Sequence, residues 1–335
     1  MKNILITGAS GFIGSHLLEE NIKKGNNVRA LVLHDDIFQN TLSNKDVEII
    51  NGDIRDYETM KKAVNNIDIV YHCAALVSDW GSYKKFKEIN VYGTENICKA
   101  CLTQNIERFV YTSSNVVFGR IENKIIDESF PLSYWNEVYP DTKIDAEKIV
   151  WNYYNEKQLP VSIVYPCLVY GEGDQTYIPL LADSILKHEL IFWRKNVLIW
   201  PTYIKNLIDF MMLISENERA IGNGFIIHDG QSTTLQKLST TIAKTLNVPP
   251  IDSYLPYIVV YIDALLSEFV WKMLRKKTRP LLTTYSVKFL GSRFQYSIEK
   301  AKRELEWKPK IPYKTGLSNT MTWLKNINID DVKKK

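Results

Sequence analysis

The fold of this chain is decided near its N-terminus by the stretch Asn3-Ile4-Leu5-Ile6-Thr7-Gly8-Ala9-Ser10-Gly11-Phe12-Ile13-Gly14. The apolar and β-branched residues before Gly8 predict a short buried strand. A helical pattern extends from about Gly11 to Lys24, and Gly25 follows it as a natural helix C-terminus. A strand, a glycine turn and a helix N-terminus together present backbone N–H groups to a phosphate. The stretch therefore predicts a dinucleotide-binding loop, in which glycines permit a sharp turn and close approach.

Composition limits the class of protein. The chain has 335 residues, which is enough for one large domain or two lobes, and a net charge of +4, which implies no nucleic-acid partner. Four cysteines suit a reducing compartment, and Met1 leads directly into a strand, so we expect a cytoplasmic protein. Cys98 and Cys101 fall within a helical pattern and are interpreted as a packed pair, so no metal site is predicted.

Further apolar runs alternate with helical patterns over more than a hundred residues. The predicted strands after the first span 28–33, 47–51, 67–71 and 109–111. This alternation predicts an α/β protein with a Rossmann-type, doubly wound parallel sheet, whose ligand site lies beyond the carboxyl ends of its strands. Gly8, Asp53, His72 and Ser114 all follow such ends. We expect Asp53 to meet an adenine amino group and His72 to be a structural hydrogen-bonding residue.

The end of the second strand bears on the choice of dinucleotide. It continues as Leu33-His34-Asp35-Asp36. Asp35 is placed to hold the ribose hydroxyls of NAD, whereas His34 or Arg29 would meet the 2′-phosphate of NADP. We predict NAD, with NADP as the alternative.

Tyr139 and Lys143 are four residues apart at the start of a helical pattern that continues to Asn155. This spacing places them one turn apart on one face, where a lysine ammonium would lower the pKa of a phenol. The pair predicts a general acid/base for a substrate hydroxyl or carbonyl, with Ser114 holding the same oxygen. Lys143 is also a candidate to hold the nicotinamide ribose.

Several motifs now resemble one family, the extended short-chain dehydrogenase/reductases, also called the NAD-dependent epimerase/dehydratase superfamily. The similar stretches are Thr7 to Gly14, Gly52-Asp53, His72 to Ala75, Asn90 to Thr94, Thr112 to Ser114, Tyr139 with Lys143, Tyr165 to Asp174, Ser297 to Ala301 and Leu305 to Pro309. The resemblance implies hydride transfer to or from nicotinamide, with Tyr139 as acid/base, Lys143 as its support, Ser114 as the donor to the substrate oxygen, and a homodimer. The cofactor contacts it implies are Gly8, Ser10, Gly11, Phe12, Ile13, Gly14, Asp35, Asp53, Ile54, Cys73, Ala74, Ala75, Asn90, Thr112, Tyr139, Lys143, Pro166 and Val169.

The branch of the family determines the substrate. Nucleotide-sugar members usually have Arg-Pro where this chain has Tyr165-Pro166, and a sugar diphosphate needs a cationic partner. The segment Thr202 to Asn206 instead resembles the 3β-hydroxysteroid dehydrogenase/isomerase branch, which implies a secondary alcohol on a cyclic or lipid-like substrate. A nucleotide-sugar epimerase or dehydratase is the alternative, with Arg194, Lys195 or Arg293 meeting the diphosphate. A non-catalytic dinucleotide sensor would have no need of the intact Ser114, Tyr139 and Lys143.

The C-terminal half suggests a second lobe. We expect a cofactor domain over 1–165 with 203–230 and a smaller α/β substrate lobe over 166–202 with 231–330. A helical stretch at 255–274 is nearly all apolar and is followed by basic residues up to Arg279. Three interpretations stay open for 255–279: a core or lid helix of the small lobe, a wall of an apolar substrate pocket, or a membrane-surface helix.

Overall fold

Seven parallel strands form the central sheet of the protein. The computed structural model describes residues 1–36, 46–276 and 278–329. Its strands are β1 Asn3–Thr7, β2 Asn27–Val32, β3 Glu48–Asn51, β4 Ile69–His72, β5 Arg108–Thr112, β6 Ile125–Ile126, β7 Val161–Pro166, β8 Leu168–Tyr170, β9 Leu198–Ile199, β10 Pro201–Tyr203, β11 Asn223–Ile227, β12 Thr233–Thr234 and β13 Gln295–Tyr296. The sheet order is β11-β7-β5-β4-β1-β2-β3, and every neighbouring pair is parallel. The predicted doubly wound sheet is confirmed.

Helices cover both faces of this sheet, as buried parallel strands require. They are α1 Phe12–Lys23, α2 Tyr57–Ala63, α3 Tyr83–Phe86, α4 Gly93–Cys101, α5 Val138–Lys157, α6 Tyr177–Leu186, α7 Ile204–Glu216, α8 Leu235–Thr245, α9 Tyr257–Met273, α10 Thr284–Leu290, α11 Glu299–Leu305 and α12 Tyr313–Lys325. One core joins the sheet to α1, α6, α7 and α8, and a second joins its other face to α2, α4 and α5. Cys98 and Cys101 are both buried in the second core, as predicted.

Two helices differ from their predicted form near the carboxyl ends of the strands. The helix expected from Phe86 is interrupted by a π-helical turn over Lys87–Tyr92, in which Asn90 is buried. Helix α5 begins at Val138, three residues earlier than expected, because Asp141 accepts backbone N–H groups from the residues before the helix. Tyr139 therefore lies in the first turn of α5.

In the part of the chain that the structure describes, three two-stranded sheets lie outside the central sheet. β8 pairs with β10, β9 with β12, and β6 with the distant β13. The division into two lobes stays a prediction. Within the described residues no helix is long and apolar enough to cross a membrane.

Candidate active site

The glycine loop between β1 and α1 can be built only from glycines at two of its positions. Gly8 has φ +67°, and a Cβ there would lie 2.9 Å from the backbone of Ala74. A Cβ on Gly14 would lie 2.2 Å from the carbonyl oxygen of Gly8. Both obstacles are backbone atoms, which cannot rotate away. The loop therefore keeps the first turn of α1, the strand end and the Ala74 segment in close contact.

The N-terminus of α1 fits the pyrophosphate of a dinucleotide. Gly11 is its N-cap, has an extended backbone and provides no side-chain cap, so no side chain of that residue competes for the N–H groups of the first turn. Phe12, Ile13 and Gly14 follow in this turn. An anion is stabilised there by the free N–H groups and the helix dipole.

The acid that bonds to this loop is Asp36, whereas the ribose contact of Asp35 stays a prediction. The Ser10 hydroxyl donates a hydrogen bond to the carboxylate of Asp36, whereas Asp35 is exposed. β2 ends at Val32, and the chain then turns through residues 33–36 beside the glycine loop. Spacing alone could not show whether Asp35 or Asp36 would bond to this loop. Asp36 is thus a candidate ribose contact that the sequence prediction missed.

Asp53 lies after β3 and is paired with a neighbour. The Arg55 guanidinium donates three hydrogen bonds of 2.6 to 3.0 Å to its carboxylate and holds the pKa of Asp53 below its ordinary value. Ile54 is buried against α4, where a Cβ on Gly93 would meet its side chain at 2.6 Å. These contacts fix the backbone turn at 53–54, which is a candidate adenine contact.

His72 holds two elements together, as predicted. Its Nδ1 lies 2.8 Å from the hydroxyl of Thr7, and its Nε2 lies 3.0 Å from the hydroxyl of Thr94. Because the Thr94 hydroxyl donates to the carbonyl of Asn90, Nε2 carries the proton and Nδ1 accepts from Thr7. Burial lowers the pKa of His72 to about 3, so the ring stays neutral.

Asn90 connects the loop after β4 to the helix of Tyr139. Its side-chain oxygen accepts from the N–H of Leu76 at 2.7 Å, and its amide donates to the Leu76 carbonyl and to the hydroxyl of Thr142. Thr142 lies one residue before Lys143 on α5. Asn90 therefore positions the loop containing Ala74 and Ala75 against α5.

The remaining candidate cofactor residues surround the same end of the sheet. The Cys73 thiol lies 3.4 Å from the hydroxyl of Thr112, at the ends of β4 and β5. Pro166 ends β7, the neighbour of β5, and Val169 lies in the short β8 that follows. Their contact with a cofactor stays a prediction.

Ser114, Tyr139 and Lys143 come together at the end of β5. Lys143 is buried, donates a 2.7 Å hydrogen bond to the carbonyl of Thr112 and lies 4.3 Å from the Tyr111 ring centre. Ser114 caps the short helical turn after β5, and its hydroxyl interacts with Tyr139. This arrangement combines a phenol, a hydroxyl and an amine at one strand end, as acid/base chemistry on a carbinol or carbonyl oxygen requires.

The expected lowering of the phenol pKa is not found. Burial raises the pKa of Tyr139 to about 12 and lowers the pKa of Lys143 to about 8. The Lys143 ammonium is directed at the Thr112 carbonyl, so its charge does not offset the burial of the phenol. In this state Tyr139 is a protonated acid at neutral pH.

Glu147 supports the site from behind, and sequence reasoning did not identify it. It is fully buried one turn beyond Lys143, and its carboxylate accepts from the hydroxyls of Ser113 and Tyr165 at 2.6 and 2.7 Å and from the Trp151 indole at 3.2 Å. Tyr165, which stands where nucleotide-sugar relatives usually have arginine, is thus directed into the core. The i, i+4 spacing of Lys143 and Glu147 was the available signal.

A small apolar cleft lies next to Ser114. Its lining includes Asn115, Cys167, Trp200, Phe289, Phe294 and Tyr296, and no lysine or arginine of the described residues lines it. Arg194 donates to the Glu122 carboxylate at 3.2 Å and to the carbonyl of Gly291, and Arg293 is exposed and donates to the carbonyl of Lys195. None of these contacts directs an arginine toward the cleft. Among the described residues, no group of three or more His, Cys, Asp or Glu could hold a metal ion.

Known proteins with related sequences and folds agree with this geometry. Residues 4–227 match the NAD dependent epimerase/dehydratase family. The 2-alkyl-3-oxoalkanoate reductase of Stenotrophomonas maltophilia is 28% identical over 94% of this chain and 97% of its own length. The 3-beta-hydroxysteroid dehydrogenase of Mycolicibacterium neoaurum is 28% identical over 96% and 93%. The structure of MoeE5 in complex with UDP-glucose and NAD superposes with a TM-score of 0.76 over 96% of this chain and 98% of that one, at 21% identity, which is a likeness of fold.

The chain belongs to the NAD dependent epimerase/dehydratase family. It is therefore an NAD-dependent enzyme of the extended short-chain dehydrogenase/reductase class, and the predicted family, enzyme class and nicotinamide cofactor are confirmed.

Proposed function

We propose that this member of the family interconverts a secondary alcohol and a ketone on a cyclic or lipid-like substrate. The substrate oxygen would lie between Ser114 and Tyr139, beside the apolar cleft. The observation that most directly supports this substrate class is the uncharged lining of the cleft. The nearby Arg194, which could otherwise bind a diphosphate, is already paired with Glu122. The two relatives named above are a reductase of alkyl oxoalkanoates, which join apolar alkyl chains to a carboxylate, and a dehydrogenase of hydroxysteroids, which are cyclic and largely apolar.

The residues of the site divide the proton chemistry between them. Tyr139, protonated in this state, donates its proton to the ketone oxygen in reduction and takes it back in oxidation. Ser114 donates a hydrogen bond to the same oxygen and orients it. Lys143 holds the Thr112 carbonyl, and so fixes the end of β5, from which Ser114 extends. The bound nicotinamide supplies or accepts the two electrons and the hydrogen of the carbinol carbon.

We propose that the dinucleotide is bound by five parts of the chain: the glycine loop, Asp36, the 53–54 turn, Cys73 to Ala75 and Thr112. With the adenosine ribose bound beside Ser10, Asp36 and the neighbouring exposed Asp35 would bring negative charge to it, which would favour NAD over the 2′-phosphate of NADP. Asn90 acts on this site through the backbone of Leu76 and is a positioning residue.

Absorbance of the reduced nicotinamide tests the proposal. The purified protein is offered NAD or NADP with hydroxysteroids and long-chain alcohols in one panel, and nucleotide sugars in another. We expect net cofactor reduction with the first panel and faster reduction of NAD. A changed sugar without net reduction of cofactor would instead establish the second candidate, a nucleotide-sugar epimerase or dehydratase, which the description of the matching family favours.

A further inference from the structure

Helix α9 has an outward face made entirely of apolar side chains. Only Val260 and Ala264 of this helix are buried, and they pack on Val287 of α10. The exposed large apolar residues on its other side are Ile258, Val259, Ile262, Leu265, Leu266, Phe269, Val270 and Met273. Leu266 and Phe269 are 60% and 65% exposed. At about 3.6 residues per turn, these eight side chains fall within an arc of about 140° that contains no polar residue.

A surface helix normally places polar residues on its outward face. In α9 the exposed charged residues, Asp263 and Lys272, lie only at the two borders of the apolar arc. The face continues beyond the helix, because Leu255, Leu274 and Leu281 are also exposed by 41% to 59%. An apolar surface of this extent marks an interaction site.

The charge at the end of α9 indicates what covers it. The segment 255–279 contains five basic residues against two acidic ones; Lys272 lies in the last turn of α9, and the other four follow the helix. Lys272, Arg275, Lys276 and Arg279 are exposed, while Lys277 lies outside the described residues. Lys272 is paired with the half-buried Glu268 at 3.5 Å, and Arg279 is paired with Asp79, whereas Arg275 and Lys276 form no ion pair within the described residues. A second copy of the chain would bring the same excess of positive charge, whereas an anionic bilayer brings the opposite sign.

We propose that α9 and the basic residues after it dock this enzyme on the surface of an anionic lipid bilayer. The helix would lie in the interface plane with its apolar arc in the acyl boundary and its basic end among the headgroups. The Trp271 ring lies 4.2 Å from the Lys276 ammonium at this end, on the inward side of the helix.

The docking surface is connected to the candidate active site. α9 packs on α10, and Lys288 of α10 forms a 2.5 Å ion pair with Glu137, the N-cap of the helix that presents Tyr139. Burial and, after it, the nearby Tyr139 phenol raise the pKa of Tyr285 of α10. Docking would thus place the cleft next to the phase in which an apolar substrate dissolves. This consequence rests on the proposed function, whereas docking itself does not.

Flotation with lipid vesicles tests the proposal on the full chain without any substrate. We expect the protein to float with vesicles in which about a third of the phospholipid is anionic, and to bind neutral phosphatidylcholine vesicles at least about tenfold more weakly. The double substitution Leu266→Glu with Phe269→Glu should lower binding to anionic vesicles by about tenfold or more, because it places two charges in the apolar arc. Leu102→Glu, at an exposed apolar position at the end of α4, is the matched control and should leave binding unchanged.

Charge is tested separately by Arg275→Gln with Lys276→Gln, which should remove most of the preference for anionic over neutral vesicles. Circular dichroism confirms that each variant is folded, and turnover of a short water-soluble alcohol shows whether the active site is intact. Equal flotation of the α9 variant and the wild type, or no flotation of the wild type, would overturn the proposal. So would an α9 variant that changes the sedimentation mass instead, since this would identify the face as a contact between two copies. A failure of turnover with normal flotation would count against the proposed function alone.

Discussion

At the scale of single residues, burial changes Tyr139 and Lys143 in opposite directions. It favours the neutral form of each group, which is the phenol for tyrosine and the amine for lysine. Tyr139 is therefore a neutral phenol and not the phenolate that its spacing from Lys143 suggests. Proton transfer to a ketone begins from this neutral tyrosine. The hydroxyl of Ser114 is the contact that offsets part of the rise in the pKa of Tyr139.

Replacing Tyr139 by phenylalanine removes only the hydroxyl. We expect Tyr139→Phe to lower turnover about a hundredfold or more, because the proton donor is lost, while the affinity for NADH is unchanged. Initial rates and a fluorescence titration with NADH measure the two quantities. Tyr134→Phe, which removes an exposed hydroxyl bonded to Asp145, is the control and should have nearly normal turnover. Turnover that survived in Tyr139→Phe would rule out this residue as the acid.

The pKa of Lys143 has a consequence for stability. The unfolded chain keeps a lysine pKa near 10.5, whereas the folded value is about 8, so between these pH values the unfolded state binds more protons. The free energy of unfolding contributed by Lys143 therefore rises with pH in this window. Lys143→Met lacks this contribution. As the pH rises from 7 to about 9.5, the free energy of unfolding of Lys143→Met should therefore fall by about 2 kcal/mol relative to that of wild type. Urea unfolding at several pH values measures this, with the exposed Lys157→Met on the same helix as control; parallel pH profiles for both variants would contradict the assignment.

Glu147 is the acceptor for three buried donors. Glu147→Ala leaves the hydroxyls of Ser113 and Tyr165 and the indole N–H of Trp151 without this partner, and each such loss costs about 1–3 kcal/mol. We expect a loss of at least about 3 kcal/mol in the free energy of unfolding. Chemical denaturation provides the measurement, and Glu156→Ala at an exposed position of α5 should cost less than about 0.5 kcal/mol. A small effect of Glu147→Ala would mean that water replaces the carboxylate.

At the scale of elements, the start of α1 shows how close packing defines a binding site. Gly14 touches the backbone of Gly8 and Ala9, so the first turn of the helix lies directly against the end of β1. The sequence predicted this element because glycine spacing is a local property. It could not predict that Ser10 bonds to Asp36 rather than Asp35, since that depends on how the chain turns after β2.

Adding one methyl group at Gly14 tests this contact. Gly14→Ala should lower the affinity for NADH at least about tenfold and also lower the melting temperature, because a Cβ 2.2 Å from a carbonyl oxygen must displace the helix from the strand. Isothermal titration and thermal unfolding give the two values. Glu20→Ala, at an exposed position of α1, should change neither. Normal affinity in Gly14→Ala would show that the helix N-terminus does not contact the cofactor.

At the scale of the whole molecule, the C-terminal half covers the site through a few tertiary contacts. Lys288 pairs with Glu137 at the start of α5, and Arg279 pairs with Asp79 in the loop after β4. Phe289 and Phe294 from this half line the cleft. None of these contacts could be predicted from the sequence, because the partners are separated by 151 and 200 residues and have no common pattern. The sheet could be predicted, because the spacing of apolar residues within each short segment indicates whether that segment forms a strand or a helix.

Removing one of these contacts should affect the substrate more than the cofactor. Lys288→Ala breaks the pair with Glu137, so α10 is held less firmly over the cleft. We expect the KM for an apolar alcohol to rise several-fold, with NADH affinity unchanged. Steady-state kinetics measure this, and Lys302→Ala, which breaks an exposed pair with Glu299, serves as control. An unchanged KM in Lys288→Ala would indicate that α10 is held by its aromatic packing alone.

The order of strands in the sheet also has a consequence for synthesis on the ribosome. β1 precedes the other strands of the sheet along the chain and lies in its interior, but one edge is completed only by β11, which begins at residue 223, and β6 pairs only with β13, which begins at residue 295. The nascent chain must therefore hold half-built apolar surfaces until most of its length has been made. Pairings between such distant segments form slowly and leave apolar surface open to aggregation. Chains truncated before residue 295 should accordingly depend on chaperones, even though every predicted residue of the cofactor site is present in them.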